Sequence, residues 1–475
     1  MYVVLGGGIG GLSVVHYLQK SSFKNVKLIE ASSRVGGWIK TTKTPEGFVF
    51  EQGPRTVRPK GVAGENTLAL IEDLGLVNKV MPIQYNHPAA QNRLIYVNKA
   101  LHTLPFNNIR SLLVTQTPFT KPLICALFQD LKTPKKLVKD ESIYDFVERR
   151  LGKEIAEYAV NPLICGVCAG DAKEISVKFL LKSLFEAEQT YGSIVKGMLM
   201  SIFKRKPSSI FQTKCELFKR AEKERWSVWS LDGGLELLPE TLRISIKNQQ
   251  ADVLLSCPCT ELVFQNGKAV VKVSEKIFEC DHVISSLPAK QLALLLTKQH
   301  PELGKELSSI PTVSVVVVNL QFKGRLLKEN AFGLLVPSSE KLPILGIVFD
   351  TCCFPKGDNT VLTVMMGGRW FDQFFGNDPS PDKLLSTAVQ YVHSILHISG
   401  DPQAHEVSLL RNCIPQYVLG HYERIERIKA YVNEHNLPLS LVGASYDGVG
   451  INDVILSART AVKNLIKIFN DGEVI

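Results

Sequence analysis

Residues 1–40 read MYVVLGGGIGGLSVVHYLQKSSFKNVKLIEASSRVGGWIK, and this stretch decides the fold. Tyr2 to Leu5 is a short uncharged run, as expected of a strand buried on both faces. Six residues, five of them glycine, follow at once, and residues 12–18 then carry the pattern of a helix. Residues 26–29 (VKLI) predict a second strand that delivers an acid, Glu30. Gly6, Gly8 and Gly11 satisfy G-x-G-x-x-G between a strand and a helix, which points to a dinucleotide. The glycines admit a tight turn and a close backbone approach to pyrophosphate, while the helix N-terminus offers free N–H groups. Glu30 stands 19 residues past Gly11, near the spacing of about 20 at which a carboxylate meets ribose hydroxyls.

Two further motifs narrow the ligand. Arg34-Val35-Gly36-Gly37 begins four residues after the acid, and Glu51-Gln52-Gly53-Pro54-Arg55 follows. Together they resemble the flavin-dependent amine oxidase superfamily, in which an R-x-G-G run follows the ribose-binding acid and the FAD is extended. FAD is therefore expected in preference to NAD, bound noncovalently.

The bulk properties fit a large globular protein. The 475 residues suit two or three domains, and 45% hydrophobic against 21% charged residues excludes a disordered chain. The net charge of +9 is too mild to indicate nucleic-acid binding, yet it suits an anionic surface or substrate. The chain starts almost on its first strand, which leaves no space for a cleavable leader, and no run reaches the ~18 apolar residues of a spanning helix. Of ten cysteines, only Cys165 and Cys168 have metal-like spacing, with no matching second pair. Buried free thiols in a reducing compartment are expected, with no metal site.

Along the chain, residues 41–88 continue the nucleotide-binding unit, with a strand near 48–50 and a helix over 65–74 ending at Gly75. From 89 to 206 the character changes to helical, with a capped helix over 140–152 and a mostly helical run over 179–203. This insertion holds 18 lysines and arginines against 11 acids. Basic clusters at 132–136 and 204–206 lie near apolar runs such as 123–128. That pairing fits either a solvated charged face or a monotopic face on anionic lipid. Strands are expected at 252–264, 268–273 and 281–285. A second, predominantly antiparallel sheet is expected from strands at 313–322, 332–336, 345–349 and 361–366. A helix over 381–396 follows, then a strand at 439–444 and a glycine-rich turn. Asn452 or Asp453 is expected to cap the last helix, whose positive end suits a ring that becomes anionic on reduction.

The expected architecture is thus α/β plus α+β, with a discontinuous Rossmann-like FAD-binding domain at 1–88, 207–298 and 437–475. A helical membrane-associating insertion occupies 89–206, and a mixed-sheet substrate domain occupies 299–436.

Several blocks resemble one group within the superfamily closely. They are 87–93 (HPAAQNR), 187–190 (AEQT), 226–231 (WSVWSL) with 233–236, 337–340 (PSSE), 413–417 (CIPQY) with Gly420 and His421, and 443–449 (GASYDGV). They are similar to the oxygen-dependent protoporphyrinogen oxidases of animal mitochondria, over essentially the whole chain. The resemblance implies a six-electron oxidation of protoporphyrinogen IX in the penultimate haem step, with dioxygen as acceptor and hydrogen peroxide released. It implies a homodimer held peripherally on the outer face of the mitochondrial inner membrane. It also implies cofactor contacts from Gly6, Gly7, Gly8, Ile9, Gly10, Gly11, Glu30, Arg34, Gly37 and Trp38. Gly53, Pro54, Arg55, Thr56, Cys259, Leu409, Val449, Gly450 and Ile451 complete that set.

For the substrate, Arg93 matches the family arginine that pairs with a propionate, a role suited to its planar fork. Phe332, Leu335 and Met365 match pocket-wall positions. No general base is nominated. Loss of a hydride from a meso carbon needs positioning rather than a strong base, and His87 and His421 are read as structural. The alternative is an amine oxidase of the same superfamily. Members that attach FAD covalently use a cysteine near the carboxyl end, and none follows Cys413.

Overall fold

The computed structural model describes residues 1–105, 109–203 and 215–472. The opening strand, Tyr2–Leu5, lies at the centre of a five-stranded parallel sheet. Its order is Leu439–Leu441, His282–Ser285, Tyr2–Leu5, Val26–Ile29 and Asp252–Leu254. Val3, Val4 and Leu5 are buried, as the absence of any charge from this run requires. The sheet is therefore assembled from three distant stretches of chain.

The opening helix, Ile9–Lys20, packs against the last helix, Ile451–Gly472, and against Leu237–Asn248. Leu12, Val14, Val15 and Leu18 are fully buried there, at about 1.5–3 kcal/mol each. The helix expected over 65–74 begins earlier, at Gly61, and the chain leaves it through Gly75 at φ +69°. A three-stranded antiparallel sheet, Cys259–Gln265, Lys268–Val273 and Lys276–Cys280, covers the other side.

The second sheet has seven strands. Their order is Ala404–Pro415, Thr312–Phe322, Thr360–Gly368, Ile344–Phe349, Gly333–Leu335, Leu94–Val97 and Ala100–Thr103. All neighbours are antiparallel except Gly333–Leu335 beside Leu94–Val97. The helical reading of the insertion is corrected here, because Leu94–Val97 and Ala100–Thr103 form a hairpin on this sheet. Thr312–Phe322 is buried along nearly its whole length, so its two faces serve two cores. Val316, Val318 and Leu320 pack under the helix Pro381–Leu396, while Val315 and Val317 face the cavity described below.

The remaining insertion is helical. Ser142 caps Ile143–Leu151 by accepting from the Asp145 amide at 3.0 Å. One helical stretch then passes through a π turn at Ala156–Val160 into Asn161–Cys168. The run expected over 179–203 is broken at Gly192, φ +78°, into Lys182–Tyr191 and Ile194–Phe203. Arg150 and Asp130, both without solvent exposure, form the hub of this bundle. Arg150 Nε donates to Asp130 Oδ1 at 2.6 Å, and the Ile194 and Val195 amides donate to the same carboxylate. One acid thereby caps the helix Ile194–Phe203 and holds it to Ile124–Lys132. The basic cluster 204–206 lies outside the described residues.

Candidate active site

A cavity of about 1940 Å³ runs from the glycine loop to the face of the seven-stranded sheet. One end is built by the first forty residues. Gly6, Gly8, Ile9, Gly10, Glu30, Arg34, Gly37 and Trp38 all line it. Helix Ile9–Lys20 starts without a side-chain cap, so its first amides are left to a ligand. A Cβ built on Gly8 would come no closer than 4.0 Å to any protein atom, Gly37 Cα being the nearest. That space is an open cradle.

Two glycines of the loop do other work. Gly7 does not line the cavity; its amide donates to Glu30 Oε2 at 2.5 Å, holding the acid at the loop. Gly11 faces inward, where a Cβ would sit 1.9 Å from the Gly6 carbonyl oxygen. Its role is close packing of turn and helix rather than contact with a ligand.

Arg34 reaches the cavity wall, but its guanidinium is turned to the carbonyls of Val35, Gly37 and Ile39 and to Glu236. It braces the R-V-G-G loop. Gly53, Pro54, Arg55 and Thr56 follow on the same wall. Arg55 is 9% exposed, and its Nη1 donates to Asp350 Oδ1 at 2.9 Å, while its buried Nη2 has no partner. Asp350 also accepts from Thr363 Oγ1 at 2.8 Å. Burial raises the Asp350 pKa, with the Arg55 cation pulling it back. A free buried donor beside an open amide cradle fits an anionic, extended nucleotide. The sequence held no sign of Asp350, which opens the short helix Asp350–Cys353 and meets Arg55 only in space.

Cys257, Pro258 and Cys259 line the adenine-side end expected for FAD. Burial pushes the Cys259 thiol up to about 11, so it stays protonated. The wider expectation of buried thiols holds for Cys165, Cys168, Cys215, Cys280, Cys353 and Cys413; Cys125 is exposed, and Cys257, Cys259 and Cys352 are intermediate. Val449, Gly450 and Ile451 line the cavity from the far end of the chain. Asp453 and Asn452 lie inside the first turn of the last helix and are not its cap, which corrects the sequence reading. Asn452 Nδ2 donates instead to the Arg58 carbonyl at 2.8 Å. Leu409 is also corrected: it packs on the helix side of the sheet, and Leu410 faces the cavity. Strand alternation makes a one-residue error a change of face.

The other end of the cavity is apolar. Phe332, Leu335, Met365 and Val317 line it, with Ile155, Leu163, Val167 and Leu180 from the helical insertion. Leu335 is accommodated because Gly166 carries no side chain; a Cβ there would lie 2.5 Å from Leu335 Cδ2. Arg93 enters this space, and its guanidinium has no acceptor among the described residues. Burial and the neighbouring Arg58 cation both lower its pKa, so a carboxylate arriving there would find two positive groups. Arg58 was not singled out from the sequence.

Neither His87 nor His421 lines the cavity. His87 Nδ1 accepts from the Ala89 amide at 3.2 Å, capping its own short helix. His421 is buried, and burial beside Arg424 lowers its pKa to about 4, leaving the ring neutral.

The comparisons with known proteins agree with this geometry. A family model described as flavin containing amine oxidoreductase matches residues 9–466. Protoporphyrinogen oxidase of Bos taurus is 43% identical and that of Homo sapiens 42% identical, over 98% of this chain and of each relative. A solved structure from Exiguobacterium sp. 255-15 superposes with a TM-score of 0.78 at 24% identity, covering 98% of both chains. The cofactor is FAD, for which the cradle, the free Arg55 donor and the exposed indole of Trp38 provide a fitting site. The chain belongs to the flavin-containing amine oxidoreductases and, among them, to the protoporphyrinogen oxidases.

Proposed function

We propose that this protein oxidises protoporphyrinogen IX to protoporphyrin IX, with dioxygen as final acceptor and hydrogen peroxide as by-product. The observation that carries the reading is one cavity with a nucleotide cradle at one end and, at the other, an apolar chamber holding an arginine without an acceptor among the described residues. The substrate is a large, flexible, apolar macrocycle with two propionates. Phe332, Leu335 and Met365 offer it apolar walls, and Arg93 offers a propionate a bidentate cation.

Bound FAD supplies two-electron acceptance and return of those electrons to oxygen. The chain's part is to hold the macrocycle against that group with the apolar walls and Arg93, and to exclude water.

The enzyme is read as a peripheral protein of the mitochondrial inner membrane, facing the intermembrane space, and as a homodimer. Leu127, Phe128 and Leu131 are exposed on Ile124–Lys132, and Met198, Leu199 and Met200 on Ile194–Phe203. These helices are joined by the Asp130 hub, so their apolar side chains support a monotopic lipid contact. No helix among the described residues is long and apolar enough to cross a membrane. The three-part domain division of the chain is retained, with the hairpin 94–103 moved to the substrate sheet.

The test is aerobic turnover of protoporphyrinogen IX, followed by porphyrin fluorescence against an autoxidation blank. Fluorescence rising well above the blank, with peroxide formed, is expected. Oxidation of amines instead, with no porphyrin gain, would select the amine oxidase alternative.

A further inference from the structure

Tyr417 lies where three parts of the chain meet, and no role had been attached to it. It follows the strand Ala404–Pro415, is 2% exposed, and lines the cavity. Its hydroxyl accepts from the Gly448 amide at 2.6 Å and donates to the Ala444 carbonyl at 2.9 Å. One oxygen thus ties both arms of the turn 443–450 together. His421 stacks on the same ring, with centroids 3.9 Å apart and 20° between planes. Phe179, from the helical insertion, packs on it at 5.0 Å, and the Ser176 amide donates to the Tyr417 carbonyl at 2.8 Å.

Ser445 Oγ, accepting from the Ala289 amide at 3.2 Å, and Ser457 Oγ, accepting from the Gly443 amide at 3.3 Å, hold the start of the turn, whereas the Gly448 amide is held by Tyr417. The turn contains Gly443 at φ +108° and Gly448 at φ +132°, backbone conformations with wide freedom in the unfolded chain. Gly443, Gly448 and Gly450 all line the cavity and lead directly into the last helix. Burial keeps the Tyr417 hydroxyl protonated, so it can donate and accept at once throughout the physiological range.

We propose that Tyr417 is a positioning residue: its hydroxyl fixes the turn 443–450 and the start of the last helix against the cofactor. Its ring links that turn to the wall of the substrate chamber formed by Phe179. This rests on reading 443–450 as the flavin-side wall.

The test is Tyr417→Phe, which keeps the ring, the stack and the cavity shape and removes one oxygen. Amide hydrogen exchange at 443–450 in apoprotein should accelerate at least tenfold. FAD affinity should fall on the order of tenfold, the factor that about 1.4 kcal/mol represents, with changed visible circular dichroism of the bound flavin. A lowered melting temperature with unchanged exchange, affinity and flavin spectrum would make Tyr417 merely structural and overturn the proposal. If the unaltered chain binds no FAD, the flavin reading fails, while the exchange measurement still decides whether the hydroxyl holds the turn. Should Tyr417→Phe not fold, exchange in the unaltered apoprotein decides: the Gly448 amide, which donates to the hydroxyl, is expected to be protected at least tenfold over a free amide, and exchange at the free rate would refute the clamp.

Discussion

Replacing Gly8 with valine should leave the protein folded and strip it of FAD. Gly8 has φ −69° and ψ 178°, extended backbone open to any L-residue, and its nearest neighbour would be 4.0 Å from the new Cβ. The native protein therefore meets only the poorer capping of valine, roughly 1 kcal/mol, or about 1–2 °C in melting temperature for a chain this long. The methyl groups would occupy the cradle in front of the first helical amides. Losing two hydrogen bonds to a charged phosphate, about 1.5–3 kcal/mol each, weakens binding on the order of 10²–10⁴-fold. Gly11→Ala is the contrasting change. Its Cβ would lie 1.9 Å from the Gly6 carbonyl oxygen, so backbone must move at a cost of at least about 3 kcal/mol. Apoprotein melts and FAD titration by fluorescence quenching separate the two effects. A Gly8→Val protein that binds FAD within about threefold of the unaltered chain would refute the cradle. A Gly11→Ala protein that melts with it would refute the packing role.

Arg93→Ala should raise the KM for the tetrapyrrole roughly 10–100-fold, the worth of one charged hydrogen-bonded pair, with FAD content unchanged; steady-state kinetics with flavin quantitation checks it. Asp130→Ala leaves the buried Arg150 with only the Glu188 carboxylate, 3.5 Å from its Nη1, and should cost about 3–5 kcal/mol, read from denaturant unfolding. The pH dependence follows from two opposed groups. Burial pushes Glu51 up to about 7 from 4.5, so its contribution is complete below pH 4.5 and lost as pH rises towards 7. Burial lowers His282 and His421 to about 4 from 6.5, so theirs is present above pH 6.5 and lost as pH falls towards 4. Glu51→Gln removes the first effect, and apoprotein stability should then climb more steeply between pH 4.5 and 6.5; an unchanged slope would contradict the burial argument.

The first forty residues carried the nucleotide fold on their face. A charge-free strand, a glycine turn without side chains and an acid at fixed distance are local properties, and local spacing survives into three dimensions. Strand ends on 26–29 and the helix 381–396 were legible for the same reason. Tertiary structure decided what spacing could not. Residues 94–103 joined the second sheet because pairing with Gly333–Leu335 lies more than 200 positions away. Leu409 and Leu410 were separated by the register of Ala404–Pro415 against Val316, a matter of sheet geometry with no trace in composition. Arg55 acquired Asp350, and the turn 443–450 acquired Tyr417, only when distant segments converged. The sequence by itself determined that a dinucleotide sits at the opening loop, because the glycine turn and Glu30 belong to one continuous segment. The chamber beyond it is built from five segments, and only their packing decided which side chains face the substrate.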